Sequence, residues 1–342
     1  MSDVTAALNR LLARQDLSRQ ETEGLFGRLM DGELGEAQKA ALLIALAVKG
    51  ESPDEIAGAA AAMRRRVVPI PHRRPDAIDT CGTGGDGRGT FNVSTAAALV
   101  AAAGGAAVAK HGNRSVSSRS GSADVLAALG VPLEVEPETA GRALDTLGIA
   151  FLFAPRLHPA MREVMPVRRQ LGVRTLFNLL GPLTNPAGAR AQLLGVFARD
   201  RVEVVARVLL QLGCRHALVV HGSDGLDEIT TTGPTFVAEV RGDGEPGVGE
   251  VRCWTLEPEA LGVPRAPLAA LEGGAPEENA ARMRTLLEGQ AGALADIVAL
   301  NAGAALWVSG RAADLGEGIG IARDLLAAGA GARKLEALRT FR

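Results

Sequence analysis

The sequence has few cysteines, and their spacing excludes two common kinds of stabilising site. Cys81, Cys214 and Cys253 are an odd number, and no two of them form a CxxC pair. A disulfide framework needs several paired cysteines in an oxidising compartment, and a structural zinc site needs clustered ligands. We therefore expect reduced thiols, which fits a cytoplasmic protein.

A strong excess of charge of one sign is also lacking. The formal net charge is -2 at pH 7, from 37 Lys and Arg against 39 Asp and Glu. A protein that binds nucleic acid through a basic surface normally carries a clear positive excess. The balance argues against a nucleic-acid partner, so any phosphate binding must come from a local site.

Long apolar runs are missing as well. Residues 1–17 contain no apolar run followed by a cleavage signature, and no stretch of the chain approaches the roughly 18 apolar residues of a membrane span. We expect a protein that is neither secreted nor membrane-spanning. A chain of 342 residues exceeds the usual range of a single core, which predicts two domains or one large α/β unit.

The first 68 or so residues have the pattern of helices. Ser18 with Glu21, and Ser52 with Glu55, match the capping box that begins a helix. The segment from Glu36 to Gly50 is apolar enough to predict a helix that is buried on most sides and ends at the glycine. Three prolines, at positions 69, 71 and 75, predict a linker after these helices.

From Ala77 onward, short β-type runs are followed by glycines and then by Ala- and Leu-rich segments, which is typical of βα units and a mainly parallel sheet. The predicted strands are 77–79, 106–110, 149–153, 193–197 and 217–221, with a surface hairpin formed by 235–240 and 250–254. The predicted C-terminal helices are 276–288, 291–309 and 315–328.

The first glycine-rich cluster runs from Asp79 to Asp86, between a predicted strand and an alanine-rich helix. This order lets backbone N–H groups approach an anion, and a helix N-terminus favours negative charge. A plain tight turn and a dinucleotide fingerprint are the alternatives, but GTGGDGRG lacks the GxGxxG spacing. The donors that follow, at Thr90, Asn92 and Ser94, favour a phosphate site.

A second cluster, from Lys110 to Asp124, also follows a strand and precedes a helix. It combines cationic, amide and hydroxyl donors, which suit a ligand with many oxygens such as a diphosphate. A solvated loop is the alternative. Its place at the carboxyl end of a predicted strand favours ligand binding, because open α/β sheets bind ligands there.

Asp227 and Glu228 follow another apolar strand. Adjacent carboxylates suit Mg²⁺, which takes one or two acids plus substrate phosphate, although an acidic pair alone is usually surface charge. Arg168 is a candidate for pairing with a carboxylate, whereas Arg169, Arg174 and residues 64–66 are expected on solvated or ion-paired faces. The role of His158 stays open between structure and function.

Taken together, GTGGD, NVST, KHGNRSVSS, SGSAD, GPLTNP and LDE occur in an order that resembles the anthranilate phosphoribosyltransferase family. The likeness extends from the helical opening to NAGAALWVSG near the end. Members of this family join anthranilate to phosphoribosyl pyrophosphate (PRPP) in tryptophan biosynthesis, giving N-(5-phosphoribosyl)anthranilate and pyrophosphate.

The resemblance implies a small helical domain, residues 1–70 with an insertion at about 165–185, attached to a larger α/β domain, residues 77–342, with a mainly parallel central sheet. Pyrimidine nucleoside phosphorylases share this architecture. The family resemblance also implies a homodimer formed through the helical domain, PRPP and anthranilate as small-molecule substrates, and Mg²⁺ as cofactor.

Ligand roles follow from the resemblance, position by position. PRPP binding is implied for Gly82, Gly85, Asp86, Thr90, Asn92, Val93, Ser94, Thr95, Lys110, His111, Gly112, Asn113, Arg114, Ser115, Val116, Ser117, Ser118 and Ser122. Anthranilate binding is implied for Gly82, His111, Asn113, His158, Arg168 and Gly181. Magnesium binding is implied for Ser94, Asp227 and Glu228.

The expected reaction needs neutralisation of the leaving diphosphate more than it needs a nucleophilic side chain. We therefore expect no covalent intermediate, and no serine of the sequence sits in a GxSxG elbow. Two alternatives remain: a nucleoside phosphorylase with the same fold, and a nucleic-acid-binding relative without activity. The first would need a base-binding and phosphate-binding pattern in place of KHGNR and GPLTNP, and the second is disfavoured by the mildly acidic pI of about 6.3.

Overall fold

A computed structural model describes residues 3–115 and 119–342. Four helices open this part of the chain: α1 (Asp3–Leu12), α2 (Arg19–Met30), α3 (Glu36–Lys49) and α4 (Pro53–Arg64). The capping boxes at Ser18 and Ser52 are present, because each serine accepts from the third helical N–H and that residue's glutamate accepts from the serine N–H. Each box satisfies two backbone donors that the helix itself leaves free.

Helix α3 ends as predicted, with Gly50 at its C-cap and a φ of 87°. The prediction that it is buried on most sides is wrong on one face. Leu42, Leu43 and Leu46 are buried, but the Val48 side chain is 68% exposed. The helix packs against α1 on its inner side, and apolar composition alone does not show how many sides have neighbours.

Seven strands form one sheet, and they are β1 (Ile78–Gly82), β2 (Val108–Gly112), β3 (Ile149–Phe153), β4 (Ala191–Gly195), β5 (His216–Gly222), β6 (Thr235–Gly242) and β7 (Gly249–Leu256). Their order is β3-β2-β1-β4-β5-β6-β7. The first five in this order are parallel, and β6 and β7 form the predicted antiparallel hairpin. A helical opening followed by a larger part with a mostly parallel sheet confirms the predicted fold class.

The remaining α-helices are α5 (Val93–Ala103), α6 (Ser122–Ala128), α7 (Pro137–Leu147), α8 (Ala154–Leu157), α9 (Met165–Leu171), α10 (Phe177–Leu183), α11 (Arg201–Gln211), α12 (Pro276–Leu287), α13 (Ala293–Val308), α14 (Leu315–Ala327) and α15 (Ala330–Thr340). Of these, α5, α7, α11 and α13 pack directly on the sheet. The sequence analysis predicts no helix beyond Ala328, so α15 is an addition to it. Gly329, with a left-handed φ of 63°, separates it from α14.

The two faces of the sheet pack against different apolar cores. Leu218 and Val220 of β5 pack in the core that contains α5 and α13, whereas Ala217 and Val219 pack in the core that contains α2, α4 and α11. This alternation follows from the two-residue period of a strand with both faces covered. Helices α9 and α10 belong to the second core and contact α3 and α4, respectively, so a central segment of the chain returns to the helical opening.

Arg64 corrects a further expectation. Its guanidinium was expected to be solvated or ion-paired, but it donates to the carbonyls of Leu183 at 2.7 Å and Leu212 at 3.3 Å. These carbonyls lie at the C-terminal ends of α10 and α11, where helices attract cations. Burial lowers the pKa of Arg64 to about 10. The neighbouring Arg65 and Arg66 form the expected ion pairs, with acids of α2 and of the turn that follows it.

None of the helices in residues 3–115 and 119–342 combines the length and apolarity that a membrane crossing requires.

Candidate active site

The site lies where the strand order changes direction. From β1 the chain builds the sheet outward through β2 to β3, and β4 then returns to pair with the other side of β1. The carboxyl ends of β1 and β4 therefore border a crevice, which is where open α/β sheets bind ligands. The glycine-rich clusters after β1 and β2 and the acidic pair after β5 all begin at this edge.

The loop that carries Asp227 crosses the ends of β1 and β4 in close contact. A Cβ atom on Gly82 would lie 2.2 Å from Asp227 Oδ2, and one on Gly195 would lie 1.6 Å from the Asp227 carbonyl oxygen. These two glycines are paired across the strands. Only glycine at both strand ends allows the acidic loop to approach the first glycine turn this closely.

Hydrogen bonds join the acidic pair to the first glycine-rich cluster. The Gly84 N–H donates to Asp227 Oδ2 at 2.7 Å, and the Ser94 N–H donates to Glu228 Oε1 at 3.1 Å. Because Ser94 lies in the first turn of α5, its N–H is one of the donors that the helix leaves free. The structure thus brings together the β1 turn, the start of α5 and both acids.

Lys110 reaches the same place from β2. Its ammonium donates to the Thr80 carbonyl at 2.6 Å and to Ser94 Oγ at 3.3 Å, and the residue is 3% exposed. Burial lowers the pKa of Lys110, and the nearby acids, led by Asp79, oppose that shift. A buried cation beside the first glycine turn is suited to hold an anion there.

The protein alone compensates the negative charge of Asp227 and Glu228 poorly. Burial raises the pKa of Asp227 to about 6, with Asp86 adding to the rise, and burial raises the pKa of Glu228 to about 8, with Asp227 as the second cause. Two desolvated carboxylates that repel each other favour a cation. This donor set fits Mg²⁺, which needs only one or two carboxylates besides water and phosphate.

A complete metal cage is absent from the described ranges. Within them, no group of three or more His, Cys, Asp or Glu side chains is arranged to hold a metal ion. Sites that rely on substrate oxygens have this property, because the protein supplies only part of the coordination sphere.

The second glycine-rich cluster is held by Asp124 at the start of α6. Its carboxylate accepts from the N–H groups of Ser115 at 2.9 Å and Gly121 at 3.0 Å, and it pairs with Arg114 at 3.2 Å. Ser122 Oγ donates to the Asn113 carbonyl at 3.4 Å. The loop after β2 thereby folds back onto the start of α6. Of the expected PRPP contacts in this loop, Val116, Ser117 and Ser118 lie outside the described residues.

Two expected contacts have buried side chains. Val93 is fully buried in the core, and Thr95 is 1% exposed and borders a small internal cavity beside Leu99. Asn92 is engaged by the protein itself: its amide donates to the Ser120 carbonyl at 3.1 Å and accepts from Asn279 at 3.0 Å. Gly85, Asp86 and Thr90 lie in the β1 turn and its continuation, where Arg174 donates to the Gly85 carbonyl at 3.2 Å.

The residues expected to meet the aromatic acid form a second group. Nε2 of His111 lies 3.0 Å from Nε2 of His158, and the two residues are 6% and 5% exposed. Burial lowers the pKa of His111 to about 3 and that of His158 to about 4; for His111 the neighbouring His158 is the second cause. For His111, the Gly181 backbone partly opposes this fall in pKa. The Cα of Gly181 borders open space, since a Cβ there would meet nothing within 4 Å.

Arg168 is a half-buried cation without a carboxylate partner among the residues that the structure describes. Its guanidinium carbon lies 5.7 Å from the centroid of the Phe177 ring, and burial lowers its pKa. A desolvated guanidinium is suited to bind a carboxylate.

Comparisons with known proteins agree with this arrangement. Residues 74–332 match the profile described as "Glycosyl transferase family, a/b domain", and residues 5–67 match its "helical bundle domain". A protein of Laribacter hongkongensis named anthranilate phosphoribosyltransferase is 53% identical over 331 residues, covering 96% of this chain and 95% of its own.

The chain belongs to the anthranilate phosphoribosyltransferase family.

Solved structures of this family have the same fold as this chain over nearly its full length. The enzyme from Thermus thermophilus is 50% identical with a TM-score of 0.91, and 98% of each chain is covered. The enzyme from Saccharomyces cerevisiae, solved in complex with PRPP and Mg, is 27% identical with a TM-score of 0.86, covering 98% of this chain and 96% of that one.

Within this family fold, some residues at the site have a role that the sequence analysis did not assign. Asp79 is fully buried at β1, where it accepts from the His111 N–H at 3.1 Å and from the Asn185 amide at 2.7 Å. It thus fixes the start of the second cluster relative to the first. Asn279 and Gly195 were missed as well. An acid inside an apolar strand, and an asparagine inside a helix, are signals that sequence reading can use.

Proposed function

We propose that the chain transfers the phosphoribosyl group of PRPP to the amine of anthranilate, giving N-(5-phosphoribosyl)anthranilate and pyrophosphate, in tryptophan biosynthesis. One observation carries the proposal: the Gly84 N–H, the start of α5, Lys110 and the Asp227–Glu228 pair meet at the crevice between β1 and β4. This cluster is suited to a diphosphate with its metal. The activity for which its relatives are named agrees with it.

The diphosphate would be held by backbone and hydroxyl donors of both glycine-rich clusters. We assign it to the PRPP set named above, with Val93 and Thr95 contributing through backbone atoms only, since their side chains are buried. Magnesium would be held by Ser94, Asp227 and Glu228, and when bound it supplies positive charge to the leaving diphosphate. Lys110 adds a fixed positive charge that needs no reorganisation during the reaction.

The aromatic acid would lie beside Gly82, His111, Asn113, His158, Arg168 and Gly181. Arg168 would pair with its carboxylate, which explains a desolvated guanidinium without an acid partner within the described ranges. This pairing turns the amine toward C1 of the ribose, so that catalysis depends on positioning and on neutralised charge, without a covalent enzyme intermediate.

We also propose the domain limits: residues 1–70 with 165–185 form the helical domain, and residues 77–342 form the α/β domain. Contacts of α9 with α3 and of α10 with α4 support the insertion. A homodimer through the helical domain is supported by Leu12 and Val48, whose side chains are 74% and 68% exposed. Light scattering at micromolar concentration tests this, and a monomer would contradict it. The free cysteines fit a cytoplasmic enzyme.

The activity is tested by the loss of anthranilate fluorescence after PRPP and Mg²⁺ are added, with each component omitted in turn. The expected result is loss only in the complete mixture, together with release of one pyrophosphate per anthranilate consumed. Consumption of a nucleoside with inorganic phosphate, and none of anthranilate, would favour the phosphorylase alternative instead.

A further inference from the structure

Arg174 joins the helical part of the chain to the glycine turn after β1. It lies in the connection between α9 and α10, and these two helices contact α3 and α4 of the helical opening. Its Nη1 donates to the Gly85 carbonyl at 3.2 Å, across 89 positions of the sequence. Although the Arg174 side chain is exposed, it therefore has a defined partner in the first glycine-rich cluster.

The Phe197 ring holds the guanidinium of Arg174 in this position. The guanidinium carbon lies 4.7 Å from the ring centroid, within the range of a cation–π contact. Phe197 also holds the turn through its backbone, because its N–H donates to Thr83 Oγ1 at 3.0 Å. Phe197 and Arg174 together therefore attach both Thr83 and Gly85 to the chain just beyond β4.

The glycine turn has little packing of its own to keep its shape. Gly84, Gly85 and Gly87 have left-handed φ values of 65°, 74° and 70°, and a Cβ on any of them would meet nothing within 4 Å. Glycine has more conformational freedom to lose on folding than any other residue. Hydrogen bonds from outside the turn, such as the one from Arg174, are therefore needed to select one conformation.

The carbonyl that Arg174 holds belongs to the same planar peptide as the Asp86 N–H. In a trans peptide these two groups point in opposite directions, so fixing the Gly85 carbonyl also fixes the N–H. No acceptor among the described residues receives this N–H. The turn lies beside the acidic pair, since the Gly84 N–H donates to Asp227 Oδ2 at 2.7 Å. A free N–H with a fixed direction at this place is suited to an anion.

We propose that Arg174 is a positioning residue for PRPP: it holds the Gly85–Asp86 peptide so that the Asp86 N–H donates to an oxygen of the diphosphate. The inference rests on the proposed function and deepens it, because it gives the helical part of the chain a role in binding PRPP. Arg174 does not touch the substrate and acts through the turn. Because α9 carries Arg168 and leads directly to Arg174, one short segment serves both substrates.

The Asp86 N–H is observed directly in the wild-type protein. Gly–Asp occurs twice in the sequence, at 85–86 and 242–243, so protein labelled with ¹³C-carbonyl glycine and ¹⁵N-aspartate gives two signals in a carbonyl-filtered amide spectrum. Asp243→Ala identifies which signal is which. We expect the Asp86 signal to shift downfield when PRPP and Mg²⁺ are added, because its N–H gains a charged acceptor. Asp243, in the exposed hairpin loop, is the internal control and should not shift. An unmoved Asp86 signal at saturating PRPP would overturn the inference.

Arg174→Ala separates the positioning of PRPP from the binding of anthranilate. We expect its dissociation constant for PRPP with Mg²⁺, measured by calorimetry, to rise about tenfold, which corresponds to about 1.4 kcal/mol. The KM for anthranilate at saturating PRPP should change by less than about threefold. The Asp86 signal should shift less than in the wild type. Arg169→Ala removes the same charge from an exposed position of α9, and this matched control should keep the wild-type affinity for PRPP.

A direct contact between the Arg174 charge and the diphosphate is the alternative, and Phe197→Leu distinguishes it. This variant removes the ring beside the guanidinium but no charge. If Arg174 acts through the turn, Phe197→Leu also weakens PRPP binding and the two losses overlap, so the double variant is weaker than Arg174→Ala by no more than about twofold. Wild-type affinity in Phe197→Leu, or losses that multiply in the double variant, would overturn the inference.

These outcomes are distinct from a failure of the proposed function. If the wild type consumes anthranilate and Arg174→Ala keeps its affinity for PRPP within about threefold, positioning by Arg174 is wrong and the function stands. If the wild type does not consume anthranilate, the proposed function falls, whatever the Asp86 signal shows. Circular dichroism verifies that each variant is folded, and the Asp86 signal of the wild type decides where a variant is not.

Discussion

Asn301 holds the backbone of Ile229 through both ends of its amide. The Ile229 N–H donates to Asn301 Oδ1 at 3.0 Å, and Asn301 Nδ2 donates to the Ile229 carbonyl at 2.8 Å. Asn301 is fully buried in α13, and its amide also bonds to the Ile297 carbonyl at 2.9 Å. Because Ile229 directly follows Glu228, this contact fixes the acidic pair to a rigid helix.

We predict that Asn301→Ala weakens magnesium use as well as folding. The variant leaves the Ile229 N–H and carbonyl unpaired, at about 1–3 kcal/mol of stability for each, and frees the loop that carries Glu228. The Mg²⁺ concentration for half-maximal rate should rise several-fold while the variant stays folded. Asn9→Ala, at an exposed position of α1, is the control. An unchanged Mg²⁺ response would show that the loop keeps its position without this contact.

We predict that Gly195→Ala strongly reduces kcat. Its methyl group would lie 1.6 Å from the Asp227 carbonyl oxygen, so the acidic loop must move away from the end of β1. Circular dichroism should show a folded protein. Its rate should require a higher Mg²⁺ concentration than that of the wild type. Gly24→Ala is the control, because a Cβ in that helix meets nothing within 4 Å and helices favour Ala over Gly by about 1 kcal/mol. Wild-type kinetics in Gly195→Ala would disprove the close approach.

We predict that Arg168→Ala raises the KM for anthranilate at least tenfold, with little change in the KM for PRPP. The variant lacks the guanidinium that we expect to pair with the anthranilate carboxylate, since no acid of the described residues pairs with it. Arg169→Ala, at the exposed neighbouring position, should leave both constants unchanged. Equal increases in the KM for both substrates in Arg168→Ala would show that Arg168 does not bind anthranilate specifically.

His216 predicts a pH dependence of stability. Burial, followed by Arg241, lowers the pKa of His216 to about 4, from an ordinary value of 6.5. Between these values the unfolded chain binds a proton that the folded chain does not, so the free energy of unfolding falls as the pH decreases. Urea denaturation from pH 6.5 to 4.5 should show a smaller decrease in His216→Gln. Parallel curves for both proteins would contradict the assignment.

The elements that the sequence predicted well are those with local signals. The capping boxes at Ser18 and Ser52 and the strand at Ile149–Phe153 depend on patterns within a few residues. The strand β1 was placed at 77–79, whereas it runs to Gly82, because its pairing with Gly195 of β4 continues through the glycine. Propensity disfavours glycine in strands, and a partner far along the chain overrides it.

In the site, too, local patterns were predicted and long-range contacts were not. Glycine turns after strands identified the anion-binding edge, and the strand order brought them to one crevice. Asp79, Asn279 and Asn301 act through contacts with residues far along the chain, so a polar residue inside an apolar element signals burial but does not reveal its partner. The His111–His158 contact joins the ends of two different elements for the same reason.

The central claim is that the two glycine-rich turns and the acidic pair act together, through magnesium, on one diphosphate. Isothermal calorimetry of PRPP binding, with and without Mg²⁺, tests it in the wild type and in Asp227→Ala with Glu228→Ala. Asp243→Ala with Glu245→Ala, in the exposed hairpin loop, removes the same charge as a control. The account predicts Mg²⁺-dependent binding that is lost in the Asp227–Glu228 variant and kept in the control. Equal affinity in all three proteins, or binding of equal strength without the metal, would contradict it.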